Sequence, residues 1–134
     1  MSIFSRIGDF ISIMRGDHRY DDLVVWESEQ AFWEKAKYRI PNLVPQHRVG
    51  RRRIDFAQLD TRLAIEVMGK RYHGGNTEES IEESWVSLVA DWERGRELLK
   101  KGWIPVYFPA ADCFSRPEYV VNEVLQIMKG LNRG

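Results

Sequence analysis

What this sequence has little of already excludes several kinds of site. Cys113 is the single cysteine, which excludes an internal disulfide and a zinc site built from several cysteines. The formal net charge is zero, and no uninterrupted apolar run is long enough to span a membrane. The apolar stretch at residues 2–14 is interrupted by Arg6 and Asp9 and lacks the form of a signal peptide. These absences favour a protein that works inside the cell and does not insert into a membrane.

The composition is typical of a globular chain. Hydrophobic residues make up 43% and charged residues 30% of the 134 residues, enough to bury one core. Apolar side chains at helical spacing predict an amphipathic helix at the start: Ile3, Phe4, Ile7, Phe10, Ile11 and Met14. This helix packs on the domain, or it forms a homodimer or binds a partner protein. We therefore divide the chain into an N-terminal helix with its polar linker, residues 1–22, and a domain, residues 23–134.

Helical and strand patterns alternate through residues 23–134. Ser28 is a fair N-cap for a helix that runs to about Arg39, with a buried stripe at Phe32, Trp33 and Ala36. A first strand is predicted at Leu43–Val49, followed by a turn at Gly50-Arg51. Two further strands lie on either side of a turn centred on Asp60-Thr61.

A long helix, a fourth strand and a last helix complete the order. The long helix is predicted from about Ser80 to Lys101, with its apolar stripe at Trp85, Leu88, Val89, Trp92, Leu98 and Leu99. The fourth strand covers Trp103–Phe108, and its Pro105 favours an edge position or a bulge. Ser115 and Glu118 form a candidate capping box for the last helix. This order predicts an α/β sandwich with a mixed four-stranded sheet flanked by helices and a right-handed parallel crossover.

Two acidic residues face each other in the predicted hairpin. A turn centred on Asp60-Thr61 places Asp55 opposite Glu66, with Ile54 and Phe56 together on the other face. Two like charges so close repel each other unless a cation or a proton lies between them. The pair therefore predicts a metal site. The alternative is a surface ladder in which each carboxylate pairs with neighbouring arginines.

The net charge of zero conceals a local cluster of basic residues. Basic residues flank the carboxylate pair: Arg48, Arg51, Arg52, Arg53, Lys70 and Arg71. A local basic patch binds phosphates whatever the charge of the whole protein. Taken singly, Glu29, Asp91 and Arg94 are typical of charges on a helix surface.

Several motifs in this order resemble the restriction-endonuclease-like, or PD-(D/E)XK, nuclease superfamily. Within it, the chain looks most like the very-short-patch-repair endonucleases and their bacterial relatives. The matching segments span about residues 26–128: Ser28-Glu-x-x-Phe-Trp33, Gln46 on the first strand, Ile54-Asp55-Phe56, Leu63-Ala-Ile-Glu-Val-Met-Gly69 with His73 four residues on, Asp91-x-x-Arg94-x-x-x-Leu98 and Gly102-Trp103-x-Pro-Val. The resemblance implies a metal-dependent DNA endonuclease with an αβββαβ core and a bacterial or phage origin, and the predicted N-terminal helix is an extra element outside the matching segments.

The resemblance also implies roles for individual residues. Asp55, the backbone carbonyl of Val67 and Glu66 would bind Mg²⁺ or Mn²⁺, and Glu29 would assist through a water on that ion. His73 would act as a general acid or base or contact a phosphate, and Lys70 would stabilise the transition state. Oxygen ligands suit these hard cations better than zinc. The DNA backbone would be held by Arg48, Arg51, Arg52, Arg53 and Arg71.

The chain departs from the pattern in two places. Met68 stands where the superfamily usually has a lysine two residues after the glutamate, and Lys70 is the candidate substitute. The structural zinc ligands of the repair enzymes are absent, so mismatch specificity is not implied. Two alternatives to a nuclease therefore stay open. One is a catalytically inactive nucleic-acid-binding module on the same fold, and the other is an interaction protein that assembles through its N-terminal helix.

Overall fold

The computed structural model describes residues 18–69 and 78–132 of the chain. In chain order its elements are a 3-10 turn at Asp21–Leu23, α1 (Glu27–Ala36), β1 (Leu43–Val49), β2 (Arg52–Gln58), β3 (Leu63–Met68), α2 (Glu78–Lys100), β4 (Ile104–Pro109), α3 (Ala110–Ser115) and α4 (Pro117–Leu131). The predicted helix at residues 2–14, its proposed assembly role, and Lys70, Arg71 and His73 lie outside the described residues. No helix within the described ranges combines the length and apolar character needed to cross a membrane.

One mixed sheet organises the domain, in the order β1-β2-β3-β4. The first two pairings are antiparallel, and β4 joins β3 in parallel after the chain has passed through α2. The prediction of a mixed four-stranded α/β sheet flanked by helices is confirmed. Pro105 lies on an edge strand, as expected for a residue that cannot donate a ladder hydrogen bond.

A buried glutamine fixes the register of the β2–β3 hairpin. Gln58 is fully buried, and its Oε1 accepts hydrogen bonds from Thr61 N at 2.8 Å and Thr61 Oγ1 at 2.7 Å. Its Nε2 donates to Asp60 Oδ2 at 3.0 Å. The turn held in this way pairs Phe56 with Ile65, Ala57 with Ala64 and Gln58 with Leu63. This is the register predicted from the turn.

The regular alternation fails where β1 and β2 meet at Gln46 and Asp55. Ladder pairs flank this position on both sides, and Gln46 has a left-handed backbone with φ of 55°. Phe56 packs in the cluster beneath α1, whereas Ile54 packs with Ala57, Ala64 and Leu98 in a second cluster. The prediction that Ile54 and Phe56 share a face is therefore wrong. The left-handed residue twists the strand pair, so side chains on its two sides enter different cores.

Aromatic packing beneath the sheet follows the predicted stripe of α1. Phe32, Trp33 and Ala36 are buried, and the Phe32 and Trp33 rings lie 4.9 and 6.0 Å from the ring of Phe56. The helix begins at Glu27, so Ser28 lies inside the first turn, and the predicted Ser28 cap is wrong. Trp33 Nε1 also donates to Asp21 Oδ1 at 2.7 Å, which holds the 3-10 turn against α1.

The predicted capping box of the last helix is wrong because another helix precedes it. Ser115 ends α3, and its hydroxyl donates back to the Ala111 carbonyl at 2.7 Å. The N-cap of α4 is Arg116, without a side-chain capping bond. No pattern of residues 110–115 predicts so short a helix. The predicted stripe of α4 does face the core, with Val120, Val121 and Val124 fully buried.

Half of the apolar stripe predicted for α2 is exposed, and Leu98 is its one fully buried residue. Trp85, Trp92 and Leu99 are about half exposed, whereas Asp91, Gly95 and Leu98 form the buried face. Gly95 allows α2 to approach β4 closely. A Cβ at this position would lie 2.5 Å from the hydroxyl of Tyr107 on β4, whose hydroxyl donates to the Asp91 carbonyl at 3.2 Å. The helix therefore turns its small and charged side toward the sheet.

Gly95 and Gly130 form a matched pair for testing this packing. Alanine is a better helix former than glycine, so Gly130→Ala, which meets no atom within 4 Å, is expected to raise the free energy of unfolding by about 0.5–1 kcal/mol. Gly95→Ala is expected to lower it by about 1–2 kcal/mol because Tyr107 must move and lose its hydrogen bond. Urea unfolding measures both. Equal stabilisation by the two substitutions would contradict the close contact.

Candidate active site

A cavity of about 360 Å³ opens where α1, β2, β3 and α2 come together. Its lining combines acidic, basic and apolar side chains: Trp26, Ser28, Glu29, Asp55, Glu66, Val67, Met68, Gly69, Asp91, Arg94, Tyr107 and Ala110. Four of the residues predicted for the site, Glu29, Asp55, Glu66 and Val67, are therefore brought together.

Asp55 occupies the point where the sheet ladder ends. The last backbone pair of the β2–β3 hairpin is Phe56 with Ile65, so Asp55 and Glu66 are the next positions in the same register. The Asp55 carboxylate accepts a hydrogen bond from the Val67 N–H at 2.9 Å, in place of a backbone carbonyl. This bond fixes one oxygen of Asp55 at the cavity wall, next to the end of β3.

Glu66 is buried and bound to a cation. Its side chain is 4% exposed, and its Oε1 accepts a hydrogen bond from Arg94 Nη2 at 3.1 Å. The same guanidinium nitrogen donates to the Arg53 carbonyl at 2.7 Å, which joins α2 to β2. The Nε of Arg94 is buried and has no hydrogen-bond partner among the described residues. Arg94 thus keeps a donor unused, a cost that structures accept more often at functional sites than elsewhere.

Glu29 approaches the same cavity from α1. It is 7% exposed, and one carboxylate oxygen accepts a hydrogen bond from the Gln46 side chain at 3.4 Å. Burial, together with the negative charge of Asp55, raises the pKa of Glu29 to about 7. The left-handed Gln46 opposite Asp55 therefore also positions the third carboxylate.

Excess negative charge is the main electrostatic property of the cavity. Burial, followed by the charge of Asp55, holds the pKa of Glu66 well above its ordinary value, although Arg94 acts in the opposite direction. The described lining contains four carboxylates, those of Glu29, Asp55, Glu66 and Asp91, and Arg94 as its single cation. Carboxylates so placed bind either protons or an additional cation.

The donor set fits a hard divalent ion with a partly aqueous coordination sphere. Asp55 and Glu66 offer carboxylate oxygens, and Val67 lies beside them on β3. Across the described residues no three histidine, cysteine, aspartate or glutamate side chains form a ready-made metal site. Mg²⁺ commonly uses one or two carboxylates and keeps several waters, so it does not require such a group.

The predicted basic residues surround the turn between β1 and β2. Arg48, Arg51, Arg52 and Arg53 are exposed, and Arg48 is paired with Arg53 across the ladder. The chain turns at Gly50, which has φ of 62°, and Lys101 Nζ lies 2.8 Å from the position that a Cβ would take there. Lys101 thus joins this basic turn, which sequence reasoning did not include. The Arg53 carbonyl connects the turn to Arg94 in the cavity.

Three charged residues assigned to helix surfaces belong to the cavity instead. Glu29 is 7% and Asp91 6% exposed, and Arg94 binds Glu66, so the interpretation of each, taken singly, as an ordinary surface charge is wrong. For Glu29, the resemblance had already implied a place in the site. Asp91, Gly95 and Leu98 recur at helical spacing and so lie on one side of α2. The glycine and the leucine on that side could have indicated that it faces the sheet, with Asp91 and Arg94 directed inward. No sequence signal singled out Trp26 or Tyr107, which also line the cavity.

Stability is expected to fall as the pH rises across the neutral range. Glu29 and Glu66 have pKa values above the ordinary 4.5, so between about pH 5 and 8 the folded chain binds more protons than the unfolded chain. The free energy of unfolding should decrease over this window by on the order of 2 kcal/mol. Glu66→Gln should flatten the decrease, and Glu93→Gln on the exposed side of α2 should not. Urea titrations at stepped pH measure this, and equal slopes in both variants would contradict it.

A scan against protein-family models and searches of curated proteins and solved structures found no protein that matches this chain. Function is therefore inferred from the chemistry of the cavity and of the basic turn.

Proposed function

We propose that this chain is a divalent-metal-dependent endonuclease that hydrolyses phosphodiester bonds in DNA. The observation that carries the proposal is the convergence of Glu29, Asp55 and Glu66, from three different elements, on one open cavity. The exposed arginines of the β1–β2 turn precede Asp55 in the chain, the Arg53 carbonyl is bonded to Arg94 of the cavity lining, and these arginines supply the complementary charge for a polyanion. An acidic centre bordered by basic residues suits the hydrolysis of a phosphodiester.

The arrangement of elements supports a restriction-endonuclease-like sandwich. Helix α1 precedes three antiparallel strands, and α2 leads to a parallel fourth strand. Asp55 lies on β2 and Glu66 on β3, next to each other at the end of their ladder. This is the order and the placement that the resemblance to the PD-(D/E)XK superfamily implies.

Asp55, Glu66 and the Val67 carbonyl would hold Mg²⁺ or Mn²⁺. Such an ion, when bound, activates water at neutral pH and polarises the phosphodiester. Burial raises the pKa values of Glu29 and Glu66, and the charge of Asp55 adds to the effect; the two positive charges of a divalent ion would offset both. The cavity thus offers the ion both oxygen donors and uncompensated charge.

Glu29 and Arg94 have complementary tasks in this proposal. The Glu29 carboxylate lines the cavity and is held by the Gln46 side chain, so it can take a proton from the attacking water. The Arg94 guanidinium stabilises the negative charge that develops on the phosphate oxygens. Met68, at the position of the superfamily's usual lysine, provides no positive charge for this task. Lys70 and His73 lie outside the described residues, so their proposed catalytic roles stay predictions.

Contacts to the DNA backbone come from the basic turn. Arg48, Arg51, Arg52 and Arg53 are exposed on consecutive strand and turn positions, and Arg71 remains a further candidate outside the described residues. Arginine contacts to phosphates add affinity without selecting a sequence. This placement predicts a nuclease that binds DNA in a salt-dependent manner.

A second candidate function is a nucleic-acid-binding module without catalysis. Methionine at position 68 can neither bind a hard cation well nor transfer a proton, and the Arg94–Glu66 ion pair places a guanidinium where an ion would otherwise bind. In that case the basic turn would still bind the nucleic-acid backbone, and the acidic cavity would not bind a catalytic ion. Binding without cleavage in Mg²⁺ and in Mn²⁺ distinguishes this candidate.

Cleavage of supercoiled plasmid tests the first proposal. The purified protein is expected to nick or cut plasmid in Mg²⁺ or Mn²⁺ and to stop when EDTA is added. Asp55→Asn should lower the rate by roughly two orders of magnitude or more, because it removes an ion ligand and weakens the bond to Val67 N. Glu29→Gln should lower the rate by at least about ten-fold.

Glu93→Gln is the matched control, since it neutralises an exposed acid on α2 outside the cavity lining. It should cut plasmid at the wild-type rate. Cutting that persists in both Asp55→Asn and Glu66→Gln would show that another site or a contaminant is responsible.

Removal of the basic turn is expected to weaken DNA binding most at low salt and so to reduce its salt dependence. Arg51→Ala and Arg52→Ala together should flatten the dependence of log affinity on log salt by about 1–2, close to one for each lost phosphate contact. Arg39→Ala, an exposed arginine at the other end of α1 from Glu29, should not change the slope. Fluorescence anisotropy with a labelled duplex in the Asp55→Asn background measures this. An unchanged slope in the double variant would place the DNA elsewhere.

A further inference from the structure

Trp26 is an exposed aromatic side chain at the mouth of the acidic cavity. It is 71% exposed and directly precedes α1, three residues before Glu29. Trp26 lines the same cavity as Asp55 and Glu66. Trp33 and Trp103, in contrast, are 1% and 7% exposed and belong to the two hydrophobic clusters. Packing of the core therefore does not account for an indole at position 26.

The backbone beneath Trp26 is fixed. Its carbonyl accepts the first hydrogen bond of α1, from Gln30 N at 2.8 Å, and the Gln30 side chain donates to the Val24 carbonyl at 3.0 Å. Val24 itself is buried in the main cluster at 3% exposure. The exposed indole thus extends from a segment that is anchored on both sides. A rigid aromatic face with an unoccupied side is suited to stacking with a planar group.

The rest of the lining indicates what that planar group is. Met68 and Ala110 line the cavity beside the carboxylates, and Met68 is paired with Pro109 at the end of the β3–β4 ladder, so both lie at one end of the sheet. The helix that Ala110 begins packs against α1. A phosphodiester group alone is charged and does not pack against apolar side chains. A nucleotide does, because its base is a flat ring system with apolar faces joined to a phosphate.

We propose that the cavity binds a nucleotide whose base is unpaired, with that base stacked on Trp26 and its phosphate at the carboxylates. This inference rests on the proposed nuclease function and names its substrate class: single-stranded DNA, or a duplex with unpaired nucleotides at the cleavage site. A base inside an intact duplex is stacked on both faces and cannot reach the indole without leaving the helix. Met68 then serves as an apolar contact for the base rather than as a failed catalytic residue.

Trp85 and Trp92 provide the contrast within the same chain. Their rings contact each other edge to face at 5.8 Å on α2, and neither lines the cavity. Trp85 is 59% exposed, close to the exposure of Trp26. Trp85→Ala therefore removes an equally exposed indole that has no position beside the carboxylates, which makes it a matched control.

Binding of labelled oligonucleotides to the full chain tests the proposal. The Asp55→Asn background prevents cleavage, and the probes are a 20-nucleotide single strand, the same sequence as a duplex, and a single strand of abasic nucleotides. Trp26→Ala is expected to weaken single-strand binding by about ten-fold and to change duplex and abasic binding by less than about two-fold. Trp26→Phe should recover most of the affinity, and Trp85→Ala should keep all of it. Single strands should also quench tryptophan fluorescence in the parent chain and much less in Trp26→Ala.

Each other result overturns the inference in a distinguishable way. Equal losses for all three probes would show that Trp26 supports the fold or the electrostatics and does not stack with a base. No loss in Trp26→Ala, while the wild-type chain still cuts plasmid, would remove the base site and leave the nuclease proposal standing. Failure of every probe to bind, together with no cleavage by the wild-type chain, would reject both. Capture of another protein through Trp26 with unchanged single-strand binding would mean that the indole belongs to a protein interface.

Discussion

Repulsion among carboxylates in one partly buried cavity is the constraint on which the site depends. Glu29, Asp55 and Glu66 are brought together by three elements, and the pKa values of the two glutamates rise because burial and the charge of Asp55 both oppose ionisation. Such an arrangement lowers the free energy of unfolding at neutral pH, so a sequence selected only for stability would not retain it. We infer that the cavity is kept for chemistry that needs negative charge, and a divalent ion is the simplest partner for that charge.

The backbone and the strand pairing around these carboxylates are irregular. Gln46 takes a left-handed conformation, the β1–β2 ladder is interrupted beside Asp55, and strand pairing in the hairpin ends where the carboxylates begin. Across the cavity, α2 turns Asp91, Arg94 and Gly95 toward the sheet, and leaves much of its apolar stripe to solvent. Local distortion of this kind is concentrated at functional sites, where the rest of the fold compensates for it.

Short-range patterns made part of this structure predictable from the sequence. The turn at Asp60-Thr61 sets the hairpin register, and that register follows from residue spacing alone, so the neighbouring positions of Asp55 and Glu66 could be predicted. The separation of Ile54 from Phe56 could not, because it depends on a backbone conformation at Gln46 that its side chain does not reveal. The inward face of α2 was also missed, since hydrophobic periodicity assigns apolar residues to the core and Arg94 to water. The short helix at Ala110–Ser115 is set by tertiary packing against α1 rather than by its own sequence.

Whether an ion or Arg94 balances Glu66 decides between a nuclease and a binding module. Crystals of the wild-type chain soaked in Mn²⁺, with diffraction data collected at the manganese absorption edge, measure this directly. We expect an anomalous peak in the cavity within coordination distance of the Asp55 and Glu66 carboxylates, and its loss in crystals of Asp55→Asn. A cavity without a peak at saturating Mn²⁺, with the Arg94 guanidinium still bonded to Glu66, would contradict the account.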